Sequence, residues 1–138
     1  MQSYGLFSLH FIPTNLRIMF QTLPELTKQC AYFLPHGDGI SIIMTTPAII
    51  YLLRKFNLSW WIGGCWCSIL LSIALLATYS NTGANQYGYR YVMDFFVPAI
   101  MIIAFNAGEK ISGFLKTLII ASFIINYYGM ISWLIGPC

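Results

Sequence analysis

The chain has 138 residues, of which 58% are hydrophobic and only 8% are charged, with a mean hydropathy of +0.71. A soluble domain carries about 25% charged residues, so this composition excludes a soluble enzyme. The net charge of +3 comes from seven scattered basic residues, which lack the dense basic patch of a nucleic-acid-binding protein, and we expect no nucleic acid as a partner. These features predict an all-α, multi-pass membrane protein with one domain, residues 1–138, in contact with membrane lipid.

The first predicted element is an amphipathic helix in the outer, interfacial segment 1–38. Between residues 11 and 33, apolar side chains alternate with charged residues and with Pro13 and Pro24. The apolar residues at helical spacing are Ile12, Leu16, Met19, Phe20 and Leu23. One such stripe is typical of a helix that lies flat in the membrane interface without crossing it.

Two uncharged runs predict membrane-crossing helices at residues 60–79 and 117–136. Each has about 20 residues, which at a rise of 1.5 Å per residue crosses a hydrocarbon core of about 30 Å.

Two further spans are predicted at residues 91–107 and 40–53, for a total of four. The run 91–107 contains Asp94 near its start and Pro98, which we place in the first helical turn, where proline is tolerated. The run 40–53 has only about 14 residues and contains Pro47, which favours either a short kinked span or a re-entrant segment. A count of three spans therefore stays open.

Basic residues in the short loops predict the orientation. Arg54 and Lys55 follow the first span, and Lys110 and Lys116 lie between the last two, so these loops are expected on the cytoplasmic side and the loop 80–90 outside. Three basic residues remain on the outer side: Arg17, Lys28 and Arg90.

Cysteines and histidines give no signal for a metal site. The four cysteines have no paired CxxC spacing, and they are Cys30, Cys65, Cys67 and Cys138. His36 and Asp38 stand in a Pro-Gly-rich turn, where an aspartate is an ordinary turn or helix-start residue, and His10 gives a weaker signal still. We expect no metal, no cofactor and no disulfide framework, and we assign no catalytic residue.

The candidate ligand-binding residues lie where the outer loop meets the third span. They are Tyr87, Tyr89, Arg90 and Tyr91. The planar guanidinium of Arg90 suits two oxygens of a phosphate, and nearby glycines allow backbone N–H groups to approach an anion. Tyrosine and arginine are also enriched at membrane interfaces as plain anchors, and this second interpretation stays open.

Polar residues inside the predicted spans require partners. Asp94 follows Arg90 by four residues, so the two share a helix face, either as an ion pair or with Asp94 orienting Arg90 toward a phosphate. Asn126, in the middle of the last span, is expected to form a hydrogen bond with another helix.

Several short motifs resemble the later part of a bacterial multi-pass membrane glycosyltransferase. They are Gly39-Ile40-Ser41, Thr45-Thr46-Pro47-Ala48, Tyr87-Gly88-Tyr89-Arg90-Tyr91 with Asp94 and Pro98 after it, and upstream Pro13, Asn15, Leu16 and Pro24. The pattern is similar to enzymes of the C-type fold that take sugars from polyprenyl-phosphate donors, such as relatives of protein mannosyltransferases.

The resemblance implies a location in the inner cell membrane, a lipid-linked sugar donor as partner, and a donor-phosphate contact at Arg90 with Tyr89 and Tyr91 beside it. Such enzymes carry an acidic residue in an outer loop after their first membrane helix, and residues 1–39 contain no matching region. We therefore expect the chain to be incomplete, to be inactive alone and to need a missing N-terminal half. The alternatives are a small non-catalytic multi-pass membrane subunit or, third, a fragment of a transporter.

Overall fold

The computed structural model describes residues 5–26, 33–34, 37–54, 59–81 and 87–135 of the chain. The α-helices within these ranges are α1 (Ile12–Gln21), α2 (Ile42–Thr45), α3 (Trp60–Thr78), α4 (Met93–Ala107) and α5 (Gly113–Ile135). The 3-10 helices are Leu9–Phe11, Pro47–Leu53 and Arg90–Val92. One antiparallel pair of two-residue strands, β1 (Glu25–Leu26) and β2 (Phe33–Leu34), is the exception to an otherwise all-α fold, as predicted.

Three helices are long and apolar enough to cross a membrane, namely Trp60–Thr78, Arg90–Ala107 and Gly113–Ser132. They correspond to the predicted spans 60–79, 91–107 and 117–136. The last one begins at Gly113 rather than at 117, because the Ser112 hydroxyl accepts the Leu115 N–H at 3.2 Å and caps the first turn.

Pro98 in α4 differs from its prediction, whereas Asp38 before α2 lies in the predicted turn. Pro98 lies in the interior of α4, beyond its first turn, and the helix nevertheless continues to Ala107. Asp38 lies in a turn and does not cap a helix, since the residue before α2 is Ser41.

The predicted span 40–53 is not one long helix. α2 ends at Thr45, Thr46 leaves the helical conformation (φ −136°, ψ 68°), and Pro47 then begins a 3-10 helix. The cause is Pro47, because a proline disfavours the α conformation of the residue before it. We call residues 42–53 the broken segment. The count of helices long enough to span is therefore three within the described residues, the lower of the two predicted values.

The broken segment nevertheless joins the two ends of α4. Ile40, just before it, is hydrogen-bonded to the chain that leads into α4. At the other end, the Asn106 side chain near the end of α4 donates to the carbonyls of Tyr51 and Leu52, both at 3.2 Å. We call the end of the bundle where α4 begins the Arg90 end. We call the end where α4 finishes the Arg54 end.

α1 packs across the last turn of α3. Its buried residues are Asn15, Ile18 and Met19, so the packed face is shifted from the predicted stripe, and Leu23 lies beyond the helix and is exposed. The shift follows from Asn15, whose amide donates to the carbonyls of Leu76, Ala77 and Tyr79 at 3.2, 2.9 and 2.7 Å. The last carbonyls of a helix lack i+4 partners, so the amide supplies donors at the end of α3, where the Leu76 carbonyl also accepts the Tyr79 N–H at 3.3 Å.

Candidate functional site

Three stretches of chain lie side by side at the Arg90 end, and we call them the shelf: residues 22–24, 38–41 and 87–90. The Ser41 N–H donates to the Thr22 carbonyl at 2.9 Å. The Ile40 N–H donates to the Tyr87 carbonyl at 2.9 Å, and the Tyr89 N–H donates to the Ile40 carbonyl at 3.2 Å. The shelf therefore fixes the end of α1, the start of α2 and the start of α4 relative to one another.

Two glycines allow the shelf to form. Gly39 has φ +94°, a conformation that costs little only for glycine. A Cβ at Gly88 would lie 3.1 Å from Cγ2 of Thr45, which is closer than ordinary packing. Gly88 thus permits the close approach of its own stretch of the chain to Thr45 at the end of α2.

A cavity of about 590 Å³ borders the shelf at Thr22 and Asp38, and we call it the polar cavity because five of its eight lining residues are polar. Its polar lining residues are Thr14, Arg17, Gln21, Thr22 and Asp38. The first three lie on one face of α1, since their spacing of three and four residues is the helical repeat. This cavity can hold a polar ligand of the size of a sugar.

An apolar cavity of about 300 Å³ also borders the shelf, at Pro24, Ile40 and Tyr87. Its lining residues are Pro24, Ile40, Met44, Tyr87, Ile124, Ile125 and Tyr128. It is bounded by α5 and can take a hydrocarbon chain, because nearly all of its lining is apolar.

Tyr87 joins the shelf to α5. Its hydroxyl donates to the Ile125 carbonyl at 2.8 Å, and a Cβ at Gly129 would overlap its ring. Burial raises the pKa of the Tyr87 phenol, with a further contribution from neighbouring Tyr128. The structure therefore places Tyr87 at a helix contact and at the edge of the apolar cavity.

Tyr89, Tyr91 and Tyr79 form an aromatic cluster beside Arg90. The ring of Tyr91 lies 5.7 Å from that of Tyr89 and 6.2 Å from that of Tyr79, both edge to face. Tyr89 is only 4% exposed, and its burial, together with Tyr91 and Asp94, raises its pKa to about 12. Tyr89 is therefore a buried, neutral phenol that packs against Tyr91 next to Arg90.

Arg90 is the exposed member of the predicted set. Its Cζ lies 5.6 Å from the centroid of the Tyr91 ring, so the guanidinium makes a cation–π contact with the face of this ring. Asp94 is also exposed, one helical turn further along. The structure thus brings Tyr89, Arg90 and Tyr91 together, whereas Tyr87 faces α5.

Of the two histidines, His10 is the one that the structure describes, and it does not line either cavity. His36 lies outside the described residues. His10 is exposed, its ring lies 5.7 Å from that of Phe11, and it belongs to the 3-10 helix before α1.

The polar face of α1 was not predicted from the sequence. The predicted stripe of this helix is apolar, although Thr14, Arg17 and Gln21 recur at helical spacing on the opposite side. This second stripe could have been found in the sequence. Its position in one cavity with Asp38 could not, because it depends on the shelf.

Fold and site together define an all-α, multi-pass membrane protein with an amphipathic pair of cavities at one end of its helices. No family model, no curated protein and no solved structure matches this chain.

Proposed function

We propose that this chain is a membrane-embedded portion of a glycosyltransferase, which binds a polyprenyl-phosphate sugar at the Arg90 end and transfers the sugar to an acceptor hydroxyl. The observation that carries the proposal is the pair of cavities that border the shelf, one with mainly polar lining residues and one apolar. A lipid-linked sugar needs both, because its sugar and phosphate are polar and its polyprenyl chain is not. The resemblance at Gly88-Tyr89-Arg90-Tyr91 adds support.

Each part of the donor has a matching surface in this proposal. The first isoprene units occupy the apolar cavity beside Met44 and Ile124. The phosphate contacts the Arg90 guanidinium, whose planar donors suit two phosphate oxygens. The sugar hydroxyls bind in the polar cavity to Arg17 and Gln21, with Asp38 at its edge.

The reaction would form a bond from the acceptor oxygen to the anomeric carbon and break the bond from that carbon to the phosphate oxygen. Polyprenyl phosphate leaves, and the acceptor proton passes to a base. We assign no catalytic base to this chain and propose that a carboxylate of a separate N-terminal portion supplies it. The Arg90 end would face the outside of the inner cell membrane, since Arg54, Lys110 and Lys116 lie at the other end.

Donor binding by the purified chain in lipid nanodiscs tests the site. Radiolabelled polyprenyl-phosphate sugar should bind to the wild type and bind roughly tenfold more weakly to Arg90→Lys, because lysine keeps the charge but loses the two-pronged contact. Lys110→Gln removes an exposed charge at the opposite end and should leave binding unchanged. Equal binding by wild type and Arg90→Lys contradicts the assignment of Arg90.

A non-catalytic membrane subunit is the second candidate, and the exposure of α5 favours it. Only 11% of the residues in this span are buried, against 28% in Arg90–Ala107, so α5 has a wide face available to another membrane chain. A transfer assay separates the two candidates by comparing this chain alone with the chain co-expressed with the product of the neighbouring upstream gene. Transfer only in the combination supports the split enzyme, and no transfer in either favours the subunit.

A further inference from the structure

A cluster of hydrogen-bond donors lies at the Arg54 end, far along the helices from the proposed donor site. The Arg54 guanidinium donates to the hydroxyls of Tyr51 and Ser112, the latter at 3.1 Å. The two hydroxyl oxygens lie 3.2 Å apart. The Tyr51 side chain is only 2% exposed, so it holds the exposed guanidinium in one position.

The cluster has more donors than acceptors. The Ser112 oxygen already accepts from Arg54 and from the Leu115 N–H, which fills its two lone pairs. Ser112 must then donate to Tyr51, whose oxygen also accepts from Arg54. Among the residues that the structure describes, the Tyr51 proton and the remaining guanidinium N–H groups have no acceptor within this cluster, and an anion with several oxygens would supply one.

The charges near the cluster are mostly positive: among the described residues Arg54, Lys110 and Lys116 are basic, and Glu109 is the acidic residue of the loop before Ser112. Among the residues that the structure describes, the Arg54 contacts are with hydroxyls and not with a carboxylate. Lys116 follows Ser112 by four residues and so lies on the same face of α5. The positive end of the α5 dipole adds to this field, so this end of the bundle attracts an anion.

The level of the cluster relative to the bilayer indicates which kind of anion it would bind. Trp60 and Trp61 begin α3 at this same end and are 89% and 80% exposed. Exposed tryptophans at the end of a membrane-crossing helix are typical of the headgroup level of the bilayer. A lipid phosphate lies at that level.

We propose that Arg54, with Tyr51, Ser112 and Lys116, binds the phosphate of an anionic phospholipid at the Arg54 end. This site is independent of the proposed sugar transfer, since none of its residues lines the two cavities at the Arg90 end. The bound lipid would hold the broken segment against the start of α5.

The test counts lipids bound to the purified full chain by native mass spectrometry, with phosphatidylglycerol and phosphatidylcholine offered at equal concentration. We expect preferential retention of phosphatidylglycerol, and roughly tenfold weaker retention in Arg54→Gln, because a charge-assisted hydrogen-bonded contact is lost. Lys110→Gln is the matched control, as it removes a neighbouring exposed charge outside the cluster, and it should retain the lipid like wild type. Arg54→Lys should be intermediate, and it replaces Arg54→Gln if that variant does not fold.

Three results would overturn the proposal. Equal retention of the two lipids would mean that the site does not recognise the anionic headgroup. An equal loss in Arg54→Gln and Lys110→Gln would mean that surface charge alone attracts the lipid. Displacement of phosphatidylglycerol by a millimolar excess of inorganic phosphate would mean that the site takes a soluble anion rather than a lipid.

Discussion

Tyr89 is the phenol whose ionisation the fold changes most clearly. Its pKa is raised to about 12 from an ordinary value of 10.0, first by burial and then by Tyr91 and Asp94. A raised pKa in the folded state means that the unfolded chain loses this proton first. The stabilising effect is therefore complete below pH 10 and is lost as the pH rises from about 10 to about 12, and it amounts to at most about 3 kcal/mol.

We expect the free energy of unfolding of Tyr89→Phe to fall less steeply with rising pH in this alkaline range than that of the wild type, because phenylalanine has no proton to lose. Unfolding in detergent, followed by circular dichroism at a series of alkaline pH values, measures this difference. Tyr127→Phe removes an exposed phenol from α5 and should follow the wild-type curve. If Tyr89→Phe shows the wild-type pH dependence, the burial of this phenol does not control alkaline stability.

Three asparagines show how far single residues could be predicted from the sequence. Asn126 was expected to bond another helix because an amide in the middle of an apolar span needs a partner, and it donates to the Thr45 carbonyl at 2.6 Å. Asn15 and Asn106 also donate to carbonyls at helix ends. Their partners are 62 and 55 residues away in sequence, so no local pattern could identify them.

At the scale of elements, the contact between α5 and the shelf depends on Gly129. The ring of Tyr87 occupies the space that a Cβ at this position would fill. We expect Gly129→Ala to lower the free energy of unfolding by about 1–3 kcal/mol, the usual cost of overpacking. The measurement is denaturant unfolding of the purified chain in mixed micelles.

Two variants identify the cause of that loss. Gly64→Ala adds a methyl group to α3 where nothing lies within 4 Å, and it should be neutral or slightly stabilising through helix propensity. Tyr87→Ala removes the ring, so the cost of Gly129→Ala should largely disappear in the double variant. An undiminished cost in that background would show that the ring is not what Gly129 accommodates.

The broken segment shows why elements were only partly predictable. Pro47 indicated a break, and the three long apolar runs indicated three helices, because both signals are local. The 3-10 geometry that follows Pro47 was not predictable in this way. It depends on donors from other helices, in particular the Asn106 amide on the carbonyls of Tyr51 and Leu52.

At the scale of the whole molecule, the candidate site combines residues from distant parts of the sequence. The tyrosines and Arg90 could be selected from composition at the start of a span. The polar cavity could not, because it needs Arg17 of α1 and Asp38 of a turn, and the hydrogen bond from Ser41 to Thr22 helps to bring these two distant stretches together. The family resemblance indicated a donor-phosphate contact but no cavity.

The path of the broken segment predicts a topology for the whole chain. Its four α-helical and seven 3-10 residues extend about 20 Å, which is less than a hydrocarbon core of about 30 Å. It can still join opposite sides of the membrane, because the shelf extends it at one end and the Arg54 cluster extends it at the other end. Residues before and after it are therefore expected on opposite faces of the membrane.

Single cysteines test this topology in a variant whose native cysteines are replaced by serine. A membrane-impermeant maleimide should label Gly37→Cys from one side of sealed vesicles and both Arg54→Cys and Lys110→Cys only from the other side. Gly37 and Lys110 are exposed and lie outside both proposed sites, so their replacement should leave the fold intact. Labelling of all three positions from the same side would mean that the broken segment does not join opposite faces of the membrane, and it would contradict the placement of the Arg90 end and the Arg54 end of α4 on opposite sides.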